Sequence, residues 1–548
     1  MTAARTRFDP ARWLGPLARR VRDAVRGESA ATFFDPHAPR DLARLLAPFD
    51  LAPPSDAAPG AFDRVRQVYE LRPDVREVFP LGLTPAQRGD YAAWLLRYGR
   101  AEYGLPAADI LAYLVALAAD PSCGLGDTYL LTPSWQRAVP EAFSTAGWEA
   151  LKRWLASTYP ARVGRWLRRA TRPARFEAFM GGNGRPAVNL LGHFKYDSGL
   201  QEEALQHAAA LAAAGYRTFL RDVPVGYPRD WDDGGRFTDP ECGPVTLVKT
   251  GADDPLDDVY RRAGLHPRPG VYRVACWSWE LEEFPRRAVA RGGLADEVWT
   301  PSEFGAAAVR AALPGVPVYA VQPAVTIPAF APRPREAFGL PADGFLFLFA
   351  FDMASGMERK NPLGLIRAFR RAFAPAEAIH LAIKVSRGHA HPAEFAALRR
   401  AADEAGVTLL DRVVPRPEVC ALLAGCDAYV SLHRAEGFGF TMAEAMLLGK
   451  PTVATGYSGN LDFMTADNSY LVDHTRVALD RDHGPYPAGA TWAAPSEDHA
   501  AELMRRVVAD RPAAARVAER GRATVAAFLS REAAARRITA RLAEIRHP

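Results

Sequence analysis

The sequence predicts an α/β fold with two parallel sheets, preceded by a mainly α-helical region. Two short apolar runs, Ala187–Gly192 and Phe345–Phe351, have the length of buried strands, and each is followed by a loop and a helical pattern. A third run, Asp427–Leu432, is followed by a glycine-rich loop and another helical pattern. Strands that alternate with helices are typical of parallel sheets, whose strands are buried on both faces and are therefore continuously apolar.

Residues 1–180 carry helical apolar patterns between proline-rich breaks and show little strand signal. We therefore expect a helical region that ends at the glycine-rich segment 181–184. Within it, residues 11–26 place leucine and valine on one helical face and arginine elsewhere, which is typical of a helix lying on an anionic membrane. Pro16 would weaken such a helix. A docking helix or a frayed tail therefore remains an alternative interpretation of residues 11–26.

The first α/β domain is expected over residues 181–328. Its predicted strands are Ala187–Gly192, Arg217–Leu220, Val271–Cys276, Glu297–Thr300 and Val318–Val321. The loop His193–Gly199 follows the first strand and precedes a helix from about Leu200 to Ala214. Open α/β folds bind ligands at such strand ends, so His193 and Gly199 are candidate site residues. For His193, an ordinary structural role at the end of the strand is the favoured alternative.

The second α/β domain is expected over residues 329–548. Phe345–Phe351 is its first strand, and the loop Asp352–Lys360 leads from it into a helix, Asn361–Phe373. Lys384 lies near the end of the next strand. The helices predicted at the carboxyl end are Glu497–Ala509, Ala513–Phe528 and Arg531–Ile545.

The stretch Ser431–Met464 is the most informative part of the chain. The loop His433–Gly439 lies between a strand and a helix, and Gly437 allows the backbone to approach a ligand closely. The first N–H groups of the helix are unpaired donors suited to a diphosphate. A second loop, Gly456–Asn460, follows the next strand, so that two adjacent strand ends face one crevice.

Two glutamates, Glu436 and Glu444, flank this turn and predict a sugar-nucleotide pocket. Two ordinary structural roles remain open for them. Glu444 fits a capping box with Thr441, and Glu436 is close enough in sequence to Arg434 to form a surface ion pair. The arrangement of strand, loop, helix, strand and loop in one unit favours the pocket.

Composition indicates a large enzyme rather than a nucleic-acid-binding protein. The 548 residues suffice for about three domains, and a net charge of +5 is too small for a dominant basic surface. The five cysteines are scattered, so neither a disulfide framework nor a zinc site is indicated. No apolar run reaches the ~18 residues of a membrane span and no signal peptide is recognisable, so we expect a cytoplasmic protein.

The run from Glu436 to Glu444 resembles the E-x7-E signature of retaining glycosyltransferase family 4. That family has the GT-B fold, in which two Rossmann-like domains face each other across a cleft. The resemblance is specific over roughly residues 340–475 and looser over roughly 186–330. The segment from Arg72 to Gly99 resembles the helical extension of some bacterial polysaccharide glycosyltransferases.

The resemblance implies roles for the site residues. It makes Glu436 the ligand of the donor sugar and Glu444 the ligand of the nucleotide ribose. Fixed cations would stabilise the departing diphosphate; Lys360 is the leading candidate, followed by Arg359 and then Lys384. The predicted catalytic group consists of Glu436, Lys360 and Arg359. The other donor-binding candidates are Gly199, Gly437, Phe438, Gly439, Ser458, Gly459 and Asn460. The arginine usual after the first strand is absent beside Asp352, so Arg359 or Arg387 would replace it.

On the acceptor side, the resemblance suggests Trp279, Glu280 and His193. Retention of configuration is implied by the family, which is usually discussed as using front-face attack assisted by the donor's own phosphate, so no enzymatic nucleophile is nominated. We expect neither a metal nor a cofactor other than the nucleotide-sugar substrate. Asp230 and Asp232 form a literal D-x-D, but in a polar loop that is typical of a solvated turn.

Together these features predict a glycosyltransferase that moves a sugar from a nucleotide sugar to a glycan or lipid-linked acceptor. No nucleic-acid partner is expected, and residues 11–26 would allow peripheral contact with the inner face of the membrane. The alternatives are a disaccharide phosphorylase or synthase of the same fold, and a catalytically inactive GT-B module that binds glycan or protein. A dehydrogenase is disfavoured because no G-x-G-x-x-G follows the first strand of either domain.

Overall fold

The computed structural model describes residues 65–170 and 186–545, with gaps at 66–67, 70–71, 112, 114–123, 141, 143–144, 164, 226–236, 238, 240, 242, 253, 266, 268–269 and 286–294. The helix expected over residues 11–26, the linker 181–184 and the Asp230–Asp232 turn lie outside these residues. The chain divides into two compact units, Met1–Met180 and Gly181–Pro548. In the described parts of both, no helix is long and apolar enough to cross a membrane.

The described part of the first unit is helical, as predicted. Its helices are α1 Pro73–Val78, α2 Arg88–Trp94, α3 Arg100–Tyr103, α4 Leu125–Leu131, α5 Pro133–Ala138, α6 Thr145–Thr158 and α7 Arg165–Ala170, with a π-helical turn at Leu95–Gly99. Prolines begin α1 and α5, where the missing N–H has no helical partner in any case. Tyr91 is fully buried against the ring of Tyr69, whose hydroxyl donates to the Phe79 carbonyl over 2.7 Å.

The first sheet of the second unit has six parallel strands in the order β2-β1-β3-β4-β5-β6. The strands are β1 Ala187–Gly192, β2 Arg217–Asp222, β3 Val245–Gly251, β4 Tyr272–Ser278, β5 Glu297–Thr300 and β6 Val318–Ala320, and the helices are α8 Gly199–Ala213, α9 Leu256–Arg262 and α10 Glu303–Ala312. The sequence analysis did not predict β3. Its apolar run contains Lys249, which is buried in the fold because its ammonium group pairs with Glu203.

The second sheet also has six parallel strands, in the order β12-β11-β10-β7-β8-β9. They are β7 Phe345–Asp352, β8 Ile379–Ser386, β9 Thr408–Asp411, β10 Ala428–Ser431, β11 Thr452–Thr455 and β12 Tyr470–Val472. The helices between them are α11 Met357–Lys360, α12 Pro362–Ala372, α13 Pro392–Ala405, α14 Arg416–Gly425 and α15 Phe440–Leu447. An antiparallel hairpin, β13 His474–Ala478 and β14 Thr491–Pro495, follows the sheet.

These two sheets and the helical first unit confirm the predicted fold class, an α/β protein with two parallel sheets preceded by a mainly α-helical region. β7 is buried along its whole length except at Asp352, because neighbouring strands and helices cover its phenylalanine side chains on both faces. Burial of such side chains, at about 25 cal/mol per Å² of apolar surface, is the main force that holds β7 in the centre of the sheet.

Three helices end the described chain: α16 Glu497–Ala509, α17 Arg511–Phe528 and α18 Arg531–Ile545. α18 packs on the first sheet, since Ile538 and Leu542 share one hydrophobic cluster with Leu190 of β1. Arg541 of α18 donates to both carboxylate oxygens of Glu297, over 2.8 and 2.6 Å. Glu297 is fully buried, so Arg541 supplies the charge that compensates it.

We expect Arg541→Ala to lower the free energy of unfolding by about 3 kcal/mol, because the substitution leaves the Glu297 carboxylate buried without its cation. The change is measured by urea unfolding followed by circular dichroism. Arg536→Ala, on the exposed face of the same helix, is the control and should change stability by less than about 0.5 kcal/mol. Equal effects of the two substitutions on stability would contradict the role of Arg541 in compensating the buried Glu297 carboxylate.

Candidate functional site

Two loops meet at the carboxyl ends of β7 and β10, which are neighbours in the second sheet. β8 lies on the other side of β7, so the order of the strands along the chain reverses between β7 and β10. Such a reversal opens a crevice at the carboxyl edge of a parallel sheet. The loops from Met353 to Lys360 and from Leu432 to Gly439 border this crevice.

Glu436 lies between two cations in this crevice. Its Oε1 pairs with the Lys360 ammonium group, and its Oε2 lies 3.6 Å from Nη1 of Arg359. Burial alone would raise the pKa of Glu436, but Lys360 and Arg359 lower it to about 2. Glu436 is therefore ionised. The alternative ion pair with Arg434 does not form, since that guanidinium lies 5.4 Å from the centre of the Trp492 ring.

The cations reach Glu436 because hydrogen bonds tie the β7 loop to the β10 loop. Asn361 ends α11 in the left-handed conformation, with φ at 53°, and caps α12 by accepting from the Gly364 amide. Its side-chain amide donates to the Leu432 carbonyl over 2.9 Å. Arg359 donates to the Ala435 carbonyl over 2.8 Å. These bonds fix Arg359 and the adjacent lysine beside the glutamate.

The glycine turn contacts both α/β domains. Gly439 has a φ of 99°, which favours glycine, and it immediately precedes α15. Phe438 is buried in the hydrophobic core, with its ring 5.0 Å from that of Phe440. The Gly437 carbonyl accepts a hydrogen bond of 2.6 Å from the hydroxyl of Ser302, which also caps α10 next to the first sheet. The turn therefore also connects the two α/β domains.

The predicted second loop supports the backbone of Glu436. The Ser458 hydroxyl accepts from the Glu436 amide over 2.8 Å, and the Gly459 amide donates to the Glu436 carbonyl over 2.9 Å. Ser458 has a φ of 77°, a conformation that is strained for a residue with a side chain. Asn460 donates to the Thr455 carbonyl over 3.1 Å. The loop thus holds Glu436 at both its amide and its carbonyl.

Glu444 is fully buried on α15. Its Oε1 accepts from the guanidinium of Arg416, which also lies 3.2 Å from Oε2 of Glu202 on α8. No described residue donates to the second carboxylate oxygen, Oε2. Burial raises the pKa of Glu444, and Arg416 opposes this effect. The capping-box alternative does not apply, because the residue that caps α15 is Gly439, without a side-chain bond.

Lys384 and Arg387 lie at the carboxyl end of β8 and in the turn after it. The Lys384 ammonium group bonds to the Ser386 hydroxyl, and burial lowers the pKa of Lys384 to about 8 although Asp352 opposes this effect. Arg387 pairs with Asp352 and lies 4.4 Å from the centre of the Tyr196 ring. Asp352, which occupies the place of the expected arginine, is thus compensated by Arg387.

Two predicted residues come from the β1 loop. His193 Nδ1 lies 2.7 Å from the Val223 carbonyl and therefore carries the hydrogen, while Nε2 is 3.6 Å from Asp254. Gly199 begins α8, and a Cβ atom there would lie 4.0 Å from the Phe440 ring. The amino-terminal ends of α8 and α15 are therefore neighbours, whereas the contacts of His193 are with Asp254 and Val223.

Trp279 and Glu280 follow β4 on the side of the first sheet. Glu280 Oε1 lies 3.9 Å from Nη2 of Arg359, so this carboxylate joins the Glu436 group from the opposite domain. Burial raises the pKa of Glu280, and Arg359 opposes this effect. The Trp279 indole donates to the Glu283 carbonyl over 3.1 Å, and its ring packs 5.6 Å from that of Tyr486. Trp279 therefore supports the wall beside Glu280.

The hairpin β13–β14 contributes contacts that the sequence analysis missed. The loop between its strands brings Tyr486 close enough to Glu280 and Arg359 for the three groups to interact electrostatically, while burial raises the pKa of Tyr486 well above its usual value. Glu282 lies 3.1 Å from Arg476 of β13, and Glu283 accepts from the first amide of β14 over 2.9 Å. We call Glu280–Glu283 the acidic segment; it docks the first α/β domain on the second.

The structure thus brings together, from both domains, four of the predicted residues: Glu280, Arg359, Lys360 and Glu436. A second group forms around Glu444, near the start of α8. Arg416, Glu202 and Tyr486 belong to these groups but were not predicted. In the part of the chain that is described, no three His, Cys, Asp or Glu side chains are arranged to hold a metal ion.

Comparisons with known proteins agree with the predicted superfamily. Residues 345–479 match the family model described as Glycosyl transferases group 1, over less than half of the chain. The search of curated proteins finds no match.

Three solved structures are similar to this chain. HepE from Anabaena, in complex with UDP and glucose, is 15% identical over 66% of this chain and 100% of its own, with a TM-score of 0.46. Sucrose-phosphate synthase from Thermosynechococcus elongatus is 16% identical over 66% of this chain and 99% of its own, with a TM-score of 0.49. A glycosyltransferase from Rickettsia africae is 13% identical over 66% of this chain and 99% of its own, with a TM-score of 0.49.

Gly459→Ala should displace the Glu436 loop and lower the free energy of unfolding by ~2 kcal/mol, because the new Cβ would lie 2.2 Å from the Gly437 carbonyl oxygen. The effect is measured by urea unfolding. Gly425→Ala is the matched control, since a Cβ at that position on α14 has no neighbour within 4 Å. A Gly459→Ala protein as stable as this control would show that the two loops are not in tight contact.

Proposed function

We propose that this protein is a glycosyltransferase that moves a sugar from a nucleotide-sugar donor to a glycan or lipid-linked acceptor, with retention of configuration and without a metal ion. The observation that carries the proposal is the Glu436 carboxylate, held ionised by Lys360 and Arg359 where the strand order of the second sheet reverses. The family match over residues 345–479 supports the same reaction class.

In this proposal, Glu436 accepts hydrogen bonds from hydroxyl groups of the donor sugar. Glu444 accepts from the hydroxyl groups of the nucleotide ribose. The glycine turn, Gly437 to Gly439, allows the donor to approach the backbone, and the amides at the start of α15 face its diphosphate. Phe438 keeps the turn in place through its packing, and Ser458, Gly459 and Asn460 hold the backbone beneath it.

The cations act on the bond that breaks. Negative charge grows on the diphosphate as the glycosyl bond lengthens, so fixed cations stabilise the transition state more than the ground state. Lys360 and Arg359 are already placed around Glu436 before the donor arrives, so little reorganisation is needed. Lys384 and the α8 end at Gly199 add positive potential on the diphosphate side. Together these groups supply the charge stabilisation that a divalent cation would otherwise provide.

The acceptor enters from the side of the first sheet. Glu280 is the carboxylate of that domain that comes nearest to Arg359, and it would orient the acceptor hydroxyl. Trp279 supports Glu280, and His193 extends the acceptor side along the β1 loop. The attacking hydroxyl transfers its proton to an oxygen of the departing donor phosphate, on the face from which the nucleotide leaves. Configuration at the sugar carbon is then retained.

The direct test is a thermal-shift screen of the purified protein against UDP-, GDP-, ADP- and dTDP-sugars, followed by measurement of nucleotide release. Glu444→Ala should weaken nucleotide binding about tenfold, and Glu436→Ala should lower turnover ~100-fold with a smaller effect on binding. Glu394→Ala, on the exposed side of α13, is the control. The assignment is wrong if both variants keep the donor affinity and activity of the unmodified protein.

Lys384 gives the proposed diphosphate site a pH dependence. Burial lowers the pKa of Lys384 to about 8, so the side chain is cationic below that pH and loses its charge above it. We therefore expect nucleotide affinity to fall as the pH rises through about 8, as measured by calorimetry with UDP, GDP and ADP. Lys384→Arg should remove this dependence because arginine stays charged, whereas Lys384→Met should bind weakly throughout. If the nucleotide affinity of the unmodified protein did not change with pH, Lys384 would be excluded from the proposed diphosphate site.

A further inference from the structure

One carboxylate oxygen of Glu444 accepts a hydrogen bond from a described residue, and the other does not. Oε1 is paired with Arg416, whereas Oε2 has no hydrogen-bond partner among the described residues, although the side chain is fully buried. A buried acceptor that lacks a donor costs roughly 1–3 kcal/mol, and more when it is charged. Native structures retain few such groups, and each of them calls for an explanation, such as a functional role.

Arg416 does not belong to one domain only. It begins α14 beside the second sheet, and its Nε lies 3.2 Å from Oε2 of Glu202, in the first turn of α8. Gln206, one turn further along α8, donates to the other Glu202 oxygen over 2.8 Å. We call the contact from Glu202 through Arg416 to Glu444 the Arg416 bridge. It connects the two α/β domains directly over the buried carboxylate.

Glu444 has no exposed surface while the Arg416 bridge is formed, and Arg416 itself is 30% exposed. A nucleotide can therefore reach Oε2 only after neighbouring groups have moved, and Arg416 is the group that joins this carboxylate to α8. The contact between Arg416 and Glu202 is the more exposed half of the bridge, with 16% of the Glu202 side chain accessible. Charge pairs that retain contact with water are the weaker ones, so the bridge is expected to open at Glu202.

We propose that the Arg416 bridge is the gate and the positioning element of the ribose site: Arg416 holds Glu444 with Oε2 turned towards the ribose hydroxyls, and Glu202 closes the site when the domains meet. This inference rests on the proposed function and deepens it. A ribonucleotide offers two hydroxyl donors to the carboxylate, and a 2′-deoxyribonucleotide offers one. With Glu444 oriented by Arg416, the protein is therefore selective for ribonucleotides.

The first experiment measures the dissociation constants of UDP, GDP and ADP and of their 2′-deoxy counterparts by calorimetry. The unmodified protein should bind its preferred ribonucleotide about tenfold more tightly than the deoxy form, the size of one hydrogen bond to a charged group. Arg416→Gln should lose most of this ratio, because the carboxylate is no longer oriented. Arg416→Lys keeps the charge but not the two-pronged geometry and should retain part of the ratio.

The second experiment measures the rate of nucleotide association by stopped-flow tryptophan fluorescence. Glu202→Gln leaves Arg416 on Glu444 but weakens the closing contact, so association and dissociation should both become severalfold faster while the affinity stays within about twofold. Arg371→Gln is the matched control, since it breaks exposed ion pairs with Glu497 and Asp498 that lie within the second domain. This control should change neither the rates nor the selectivity for ribonucleotides.

The outcomes separate the two proposals. If the unmodified protein binds none of the nucleotides, the proposed function itself is wrong. If it binds a nucleotide but does not distinguish the deoxy form, or if Arg416→Gln keeps both affinity and selectivity, the bridge has no role in ribose binding and only the present inference is overturned. If Arg416→Gln does not fold, the selectivity of Arg416→Lys and the rates of Glu202→Gln decide in the same way.

Discussion

The central position of β7 is the constraint on which the rest of the site depends. Because β10 lies on one side of β7 and β8 on the other, the chain leaves a crevice where the loops after β7 and β10 separate. Glu436 comes from one of these loops, and Lys360 and Arg359 come from the other. The apolar character of β7 holds it in the middle of the sheet. A hydrophobic strand thereby determines where charged groups meet.

Charge compensation across the two α/β domains follows from this arrangement. Arg359 faces Glu436 of its own domain and Glu280 of the other, and Arg416 in the same way lies between Glu444 and Glu202. Each arginine therefore satisfies carboxylates from both domains at once. Buried charges are tolerated only with partners of opposite charge. The ion pairs that join the two domains are therefore the same ones that compensate the buried charges of the candidate site.

Much of this arrangement was predictable from local sequence. The apolar run of β7 and the helices at the carboxyl end were recognised by periodicity, and the local pattern and the resemblance singled out Glu436, Glu444 and Lys360 as candidate site residues. Strand β3 was missed because Lys249 interrupts its apolar pattern, and only a distant glutamate makes that burial acceptable. Tyr486 and Arg416 were missed for a related reason: their partners lie far away in the sequence, and no local pattern marks such contacts.

The acidic segment has a consequence for the behaviour of the protein in different media. Its outermost pair, Glu282 with Arg476, has one side chain that is 65% exposed, whereas the contact of Glu280 with Arg359 is largely covered. Dissolved ions weaken ion pairs that are exposed to solvent and affect covered pairs less. The outer contact between the two domains would therefore weaken as the ionic strength rises, and a charge reversal at this rim would let evolution adjust that contact without altering the charges around Glu436.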